Sequence, residues 1–282
     1  MTTHTNKVWL ITGASRGFGL LVARAALARG DAVVATARRP QDVSAALGAH
    51  ANLLALPLDV TDAAAATAAA ARAQARFGRI DVLLNNAGYG LLGAVEEAGA
   101  QEVQSLFDTN VFGLLHVTRA VLPFMRARRA GHVINISSIG GFSAYAGWGV
   151  YGATKFAVEG LTEALAQELA PLGIRATVVE PGFFRTDFLD ASSLVQTAVR
   201  IDDYAASVGA MRGIAGELNH KQPGDPQKLA LALLTLADSA TPPLRLPLGT
   251  DTVARLRQKA ATVDAELAQW LELSVSTDHD AA

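Results

Sequence analysis

The chain predicts an α/β fold, a parallel sheet with helices on both faces, and two observations carry that reading. Short β-rich runs alternate with helical stretches along the sequence, the order from which parallel sheets are built. The runs are near-continuously apolar, as in "VWLIT" and "AVVATA", rather than alternating, which is what strands covered on both faces require.

In order, strands are expected at Val8–Thr12, Ala32–Ala37, Leu53–Leu58, Val82–Asn85, Val133–Ser137, Ala176–Glu180 and Leu244–Leu248. Helices are expected over Gly17–Arg29, Ala63–Phe77, Glu102–Arg128 and Tyr151–Leu172. The stretch "TDAAAATAAAARAQARFG" reads as a helix rather than a linker. Alanine is the best helix former, Thr61 can cap the start, and Gly78 can end it. From Phe183 to about Gly224 the periodicity is loose and Gly, Ser and Asp are frequent. A mobile, partly helical flap is expected there. After Gly249 a helical extension covers about 250–273, and a frayed "STDHDAA" tail follows. Residues 1–282 are read as a single domain carrying that flap, 183–224, and that extension.

At 282 residues and 50 % hydrophobic, the chain can bury a sizeable core. Its 24 basic and 26 acidic residues nearly cancel, which argues against a nucleic-acid or polybasic membrane surface. With no cysteine, disulfides, thiol nucleophiles and cysteine-ligated zinc are excluded, in keeping with a reducing cytoplasm. His116 and His132 have no partner at metal-ligand spacing, so no metal is expected. The opening apolar run is too short for a signal peptide. The uncharged stretch 131–154 is long enough to span a bilayer, but its Ser, Asn and Gly content argues against it. A soluble, cytoplasmic protein is expected.

The first strand runs through "TGASRGFG", residues 12–19, directly into a helix. Glycines at 13, 17 and 19 let the backbone turn tightly and approach a pyrophosphate, while the helix start offers free N–H groups and a positive dipole end. The second strand ends in Ala37, Arg38 and Arg39, with no acid to meet a ribose 2′-hydroxyl. An arginine there can hold a 2′-phosphate through charge-assisted bonds worth about 1.5–3 kcal/mol each. Arg16 can reach the same phosphate. NADP(H) is therefore favoured over NAD(H).

Tyr151 precedes Lys155 by one helical turn, on the same face. Such a pair arises by chance in about 7 % of chains of this composition, so its neighbours decide. Thirteen residues upstream, Ser138 lies at the carboxyl edge of the sheet, where open α/β sheets bind ligands. Asn110 is a polar residue in register with the apolar face of Val103, Leu106, Phe107, Leu114 and Val117, and it needs partners if buried. A positive charge about 5 Å from a phenol, at an effective dielectric near 20, lowers its pKa by about two units. Lys155 is expected to make Tyr151 a usable acid–base group at neutral pH.

"TGASRGFG", "LDV" at 58–60, "NNAG" at 85–88, Asn110, Ser138, "YGATK" and "PG" at 181–182 stand together in an order and spacing that resemble the short-chain dehydrogenase/reductase family. The resemblance covers about Lys7 to Thr186 and resumes at the final strand. It implies a Rossmann-type, doubly wound sheet of about seven strands, and carbonyl/alcohol chemistry with a nicotinamide cofactor. It assigns proton transfer to Tyr151, orientation of the substrate oxygen to Ser138, the nicotinamide ribose to Lys155, and a proton-relay water to Asn110. Gly13, Ser15, Arg16, Gly17, Phe18 and Gly19 would cradle the phosphates, with Arg38 at the 2′-position. Asp59 and Val60 would meet the adenine, and Asn86, Ala87 and Gly88 would line the cleft. Pro181, Gly182 and Thr186 would position the nicotinamide, alongside Tyr151 and Lys155. "NNAG" can also be structural, its asparagines tying strands together. Ser137 competes with Ser138, and the spacing to Tyr151 favours Ser138.

The substrate pocket is expected from Tyr89 and Leu91 onward, from the stretch after Ser138, and from the flap. Phe142, Tyr145, Trp148, Phe183, Phe184 and Phe188 suit a hydrophobic ketone or alcohol. "EPGFFRTDF" and the long tail resemble the chemically broad 17β-hydroxysteroid-dehydrogenase-like branch, from which steroid specificity does not follow. An NADPH-dependent carbonyl reductase is the leading reading. An NAD-linked alcohol dehydrogenase working oxidatively and a catalytically silent nucleotide-binding scaffold are the alternatives. The resemblance also implies a homodimer or homotetramer through the helices Glu102–Arg128 and Tyr151–Leu172.

Overall fold

The computed structural model describes residues 6–279. The last three residues of the expected frayed tail lie outside that range. Strand β1 (Val8–Ile11) leads to α1 (Gly17–Ala28), β2 (Ala32–Ala37), α2 (Pro40–Leu47), β3 (Leu53–Pro57), α3 (Ala63–Phe77) and β4 (Val82–Asn85). Then come a short β5 (Gly90–Leu92), α4 (Ala100–Phe107), a π-helical turn (Asp108–Phe112), α5 (Gly113–Arg128), β6 (Gly131–Ile136), α6 (Gly149–Leu169) and β7 (Ile174–Pro181). The remainder holds β8 (Leu194–Gln196), α7 (Ala210–Leu218), α8 (Pro226–Asp238), β9 (Arg245–Leu248) and α9 (Thr250–Val275).

Seven strands form one parallel sheet in the order β3-β2-β1-β4-β6-β7-β9. This is a Rossmann-type α/β fold, and its topological switch lies between β1 and β4, where such sheets open a ligand crevice. The apolar runs are explained by two cores. Trp9, Ile11, Val33, Ala35, Val82 and Leu84 face α1 and α8 on one side. Leu10, Val34, Leu83 and Val133, between them in sequence, face α3, α5 and the end of α6 on the other. Every central side chain is therefore buried whichever way it points.

Several boundaries differ from the sequence expectation for local reasons. Asp62, not Thr61, caps α3, its carboxylate accepting from the Ala64 and Ala65 amides, a role for which a charged acceptor is well suited. Thr61 instead donates to Asp59 at 2.7 Å. The long helix expected over Glu102–Arg128 is two helices joined by the π turn. The α2 helix and the small parallel sheet β5–β8 add to the expected elements.

The segment after Thr186 is partly helical and is tied to the body. Glu97, 1 % exposed, accepts from the Ile201 amide at 2.9 Å and the Ala94 amide at 2.8 Å. These backbone bonds, with the Arg212 guanidinium beside them, hold Glu97 down at about 2. Glu102 accepts from the Ala198 amide at 3.0 Å. At the other end of the chain, α9 stays exposed along most of its length and carries Val263, Leu267, Trp270 and Leu271 into solvent. No helix among the described residues is long and apolar enough to cross a membrane.

Candidate active site

A cleft of about 1400 Å³ opens over the carboxyl ends of the strands. It is lined by Gly13, Ser15, Arg16, Gly17, Phe18, Arg38, Asp59, Val60, Asn86, Ala87, Gly88, Ser138, Tyr151, Lys155, Pro181, Gly182 and Thr186. Fold and cleft bring together all the expected site residues except Gly19 and Asn110, which stand directly behind its wall.

The glycine loop is shaped for close approach. Gly13 and Gly17 take positive φ, 65° and 55°, where glycine alone carries no steric penalty. A Cβ on Gly19 would stand 2.5 Å from the Gly13 carbonyl oxygen, so the loop can close only with glycine there. A Cβ on Gly17 would meet nothing within 4 Å, which leaves room beside the backbone. Arg16, the residue before α1, gives no side-chain cap, so the amides of the first turn keep their donors for a ligand. These features fit a dinucleotide pyrophosphate.

Asn86 braces the loop from β4. Its Nδ2 donates to the Thr12 and Gly13 carbonyls at 2.9 and 3.1 Å, and the Thr12 hydroxyl accepts from the Asn86 and Ala87 amides. Asn85 bonds Asn135 and Thr118. The asparagines of "NNAG" thus tie strands together as well as flank the cleft. At the lip, Arg38 is exposed and its charge contributes to lowering Asp59, after the Thr61 hydrogen bonds. Arg39 is paired with Asp42 at 2.9 Å. Arg16 donates to the Ser192 carbonyl at 2.6 Å and so joins the glycine loop to the segment above it.

Tyr151 and Lys155 share one face of α6. Tyr151 is boxed by Trp148, with ring centroids 5.6 Å apart, and by Phe188 at 5.7 Å. It shares a hydrogen bond with Ser138. Ser137 also lines the cleft, with its hydroxyl toward the Gly141–Glu159 side. Lys155 Nζ stands 5.7 Å from the Tyr151 ring centroid and donates to the Ile136 carbonyl at 2.9 Å. Burial lowers Lys155 to about 8, against the pull of Glu159.

The expectation that Lys155 depresses the Tyr151 pKa does not describe the balance here. Burial pushes the phenol well above its ordinary value, and the Ser138 hydrogen bond offsets only part of that. Tyr151 is held as a neutral phenol, a proton donor.

The π turn puts Asn110 behind Gly88, 2 % exposed. Its Oδ1 accepts from the Tyr89 amide at 3.1 Å, and its Nδ2 donates to the Tyr89 carbonyl at 2.9 Å and to Thr154 at 3.2 Å. The side-chain donors are thus committed to the protein. His116 rests on the Val60 carbonyl, and buried His132 on Thr177. Of the expected pocket aromatics, Tyr89, Tyr145, Trp148, Phe183, Phe184 and Phe188 line the cleft. Phe142 does not; it lies under the Arg245 guanidinium at 5.8 Å. Leu91 is buried in the cluster behind Tyr151. Gln222 also lines the cleft, and nothing in a lone glutamine within "HKQPGDP" marks it.

The short chain dehydrogenase family model matches residues 7–196. Oxidoreductase BOA17 of Botryotinia fuckeliana is 38 % identical over 273 residues, covering 96 % of this chain and 99 % of that protein. The 3-ketodihydrosphingosine reductase of Bacteroides thetaiotaomicron is 39 % identical over 243 residues, 86 % and 88 % of the two chains. A short-chain dehydrogenase structure from Streptomyces avermitilis superposes with a TM-score of 0.90 at 45 % identity, covering 98 % of this chain and all of that one. The closed form of serine dehydrogenase, complexed with NADP+, matches at TM-score 0.72 and 32 % identity, over 86 % and 94 %. A Burkholderia phymatum member in complex with NAD matches at 0.80 and 25 %, over 94 % and 97 %. With its seven-stranded sheet, its glycine loop and its Ser138–Tyr151–Lys155 cluster, this chain belongs to the short-chain dehydrogenase family and is an oxidoreductase.

Proposed function

We propose that the chain reduces a hydrophobic ketone or aldehyde to the alcohol with NADPH, reversibly. The observation that carries this reading is the buried, neutral Tyr151 phenol, hydrogen-bonded to Ser138 and flanked by the Lys155 ammonium, in the cleft that the glycine loop opens. Ser138 and Tyr151 share a hydrogen bond, so a carbonyl oxygen bound beside them would accept from both hydroxyls. Tyr151 gives its proton to that oxygen, and Ser138 holds it in line. The Lys155 charge supports the phenolate that remains. Because the Asn110 side-chain donors are taken, a relay water would use its main-chain carbonyl or the spare lone pair of Oδ1.

The cofactor supplies the hydride in reduction and accepts it in reverse. Ser15, Gly17 and Phe18 would hold its pyrophosphate on the first turn of α1, with Gly13 and Gly19 giving the loop its shape. Arg38 would hold the 2′-phosphate, with Arg16 if it leaves Ser192. Asp59 and Val60 would meet the adenine, and Asn86, Ala87 and Gly88 would floor the cleft. Pro181, Gly182 and Thr186 would orient the nicotinamide, and Lys155 its ribose. NADPH is supported by the exposed Arg38 and the lack of an acid at Ala37. Reduction is supported by the likeness to the 3-ketodihydrosphingosine reductase. The aromatic walls around Tyr151 support an apolar substrate. Self-association through the stretch α4–α5, with its π turn, and through α6 is supported by Phe112 and Phe156, 44 % and 46 % exposed.

The test is Tyr151→Phe. It should abolish turnover of ketones while NADPH affinity, read by nicotinamide fluorescence, stays within about twofold. Retained turnover would remove Tyr151 from the chemistry.

A further inference from the structure

Gln222, in the loop between α7 and α8, has no part in the chemistry above. It is 1 % exposed and lines the cleft, yet neither its Oε1 nor its Nε2 has a hydrogen-bond partner among the described residues. A buried carboxamide with both ends unpaired is a costly arrangement, and native proteins keep few of them. Here the residue that carries the orphaned group stands in the wall of a ligand cleft.

The surroundings say which part of the cleft it serves. The Gln222 carbonyl accepts from Arg185 Nε at 3.3 Å. The Arg185 amide donates to the Gly224 carbonyl and the Gly224 amide to the Phe183 carbonyl, both at 2.9 Å. Phe184 packs edge-on against Phe18 with centroids 5.5 Å apart, and Phe18 belongs to the first turn of α1. The loop is thus fastened to the strand-end segment Pro181–Thr186, which itself packs on the start of α1.

We propose that Gln222 is a cofactor-binding residue whose carboxamide pairs with the nicotinamide–ribose half of the dinucleotide. The assignment rests on the cofactor reading of the cleft. The chemistry of the two unpaired atoms selects the half. Nε2 needs an acceptor and Oε1 needs a donor. Phosphate oxygens only accept, and would leave Oε1 unpaired; a carboxamide or a ribose hydroxyl satisfies both. The pyrophosphate already has the free amides of α1. Through Gln222 the cofactor becomes a further anchor for the 183–224 segment, in addition to the Glu97 and Arg16 bonds.

The test uses the full chain with Gln222→Leu, and Gln222→Ala as a second variant free of added branching. Each is titrated calorimetrically with NADPH and with 2′-phospho-ADP, which lacks both the nicotinamide and its ribose. NADPH should weaken by about tenfold, the scale of one or two hydrogen bonds, while 2′-phospho-ADP stays within about twofold. Melting of the ligand-free Leu variant should match or exceed that of the natural chain, since two unpaired buried atoms are gone. Unchanged NADPH affinity overturns the assignment. Equal weakening of both probes, or lower ligand-free melting with unchanged binding, overturns it too, and makes Gln222 a structural residue. If the natural chain binds neither probe, the cofactor reading falls and this assignment with it.

Discussion

Replacing Lys155 by methionine isolates the charge next to the proposed acid. Methionine keeps the length and most of the apolar volume of a side chain that is 7 % exposed, and removes the ammonium and its bond to the Ile136 carbonyl. Nζ lies 5.7 Å from the Tyr151 ring centroid. A unit charge at that distance, with an effective dielectric near 20, stabilises a phenolate by about 3 kcal/mol, or about two pK units. If the phenolate is nearly formed in the transition state, the chemical step slows about a hundredfold. Single-turnover reduction of a hydrophobic ketone by saturating NADPH, followed at pH 7 by loss of reduced-nicotinamide absorbance, reads that step apart from cofactor affinity. A variant that keeps its rate to within about threefold would refute the electrostatic role. A hundredfold loss that disappears when cofactor is raised further would assign Lys155 to binding alone.

Four further outcomes are expected. Burial lowers Lys155 from 10.5 to about 8, so reduction should be fastest below that pH and fall above it, in a profile that Lys155→Met flattens. Between about 8 and 10.5 the unfolded chain binds more protons at this lysine than the folded chain, so its contribution makes stability rise with pH across that window. Denaturant titration should therefore show any stability advantage of Lys155→Met at pH 7 shrinking by pH 10. Arg38→Ala should weaken NADPH about tenfold to a hundredfold, the worth of one charge-assisted bond, and NADH far less; equal losses would remove Arg38 from the phosphate site. Gly19→Ala puts a methyl 2.5 Å from a backbone oxygen, so it should lower the melting temperature and weaken both cofactors together, and a variant with natural affinity for both would show that the loop yields.

The sheet was legible because its strands are buried on both faces, so the apolar runs needed no partner to be recognised. Strands such as Ala32–Ala37 and Val82–Asn85 coincide with the expectation to the residue, as does the alanine-rich helix Ala63–Phe77. What was not legible depends on contacts distant in sequence. The strands β5 and β8 have three residues each and meet across about a hundred positions. The π turn at Asp108–Phe112 has no compositional mark. Of the site, the cleft's makeup was readable from motif spacing. The state of Tyr151 was not: the sequence shows its lysine, one turn away, but not the walls of Trp148 and Phe188 that exclude water and raise the phenol. The unpaired Gln222 was equally invisible, because burial without a partner is a property of the assembled cleft.

Equilibrium titration of the purified chain with NADPH and with NADH, followed by nicotinamide fluorescence, bears most directly on the central claim. Saturable binding of both is expected, with NADPH tighter by about tenfold or more. Tighter binding of NADH would contradict the assignment of Arg38 and favour the oxidative reading, and binding of neither would contradict a nicotinamide-dependent reductase.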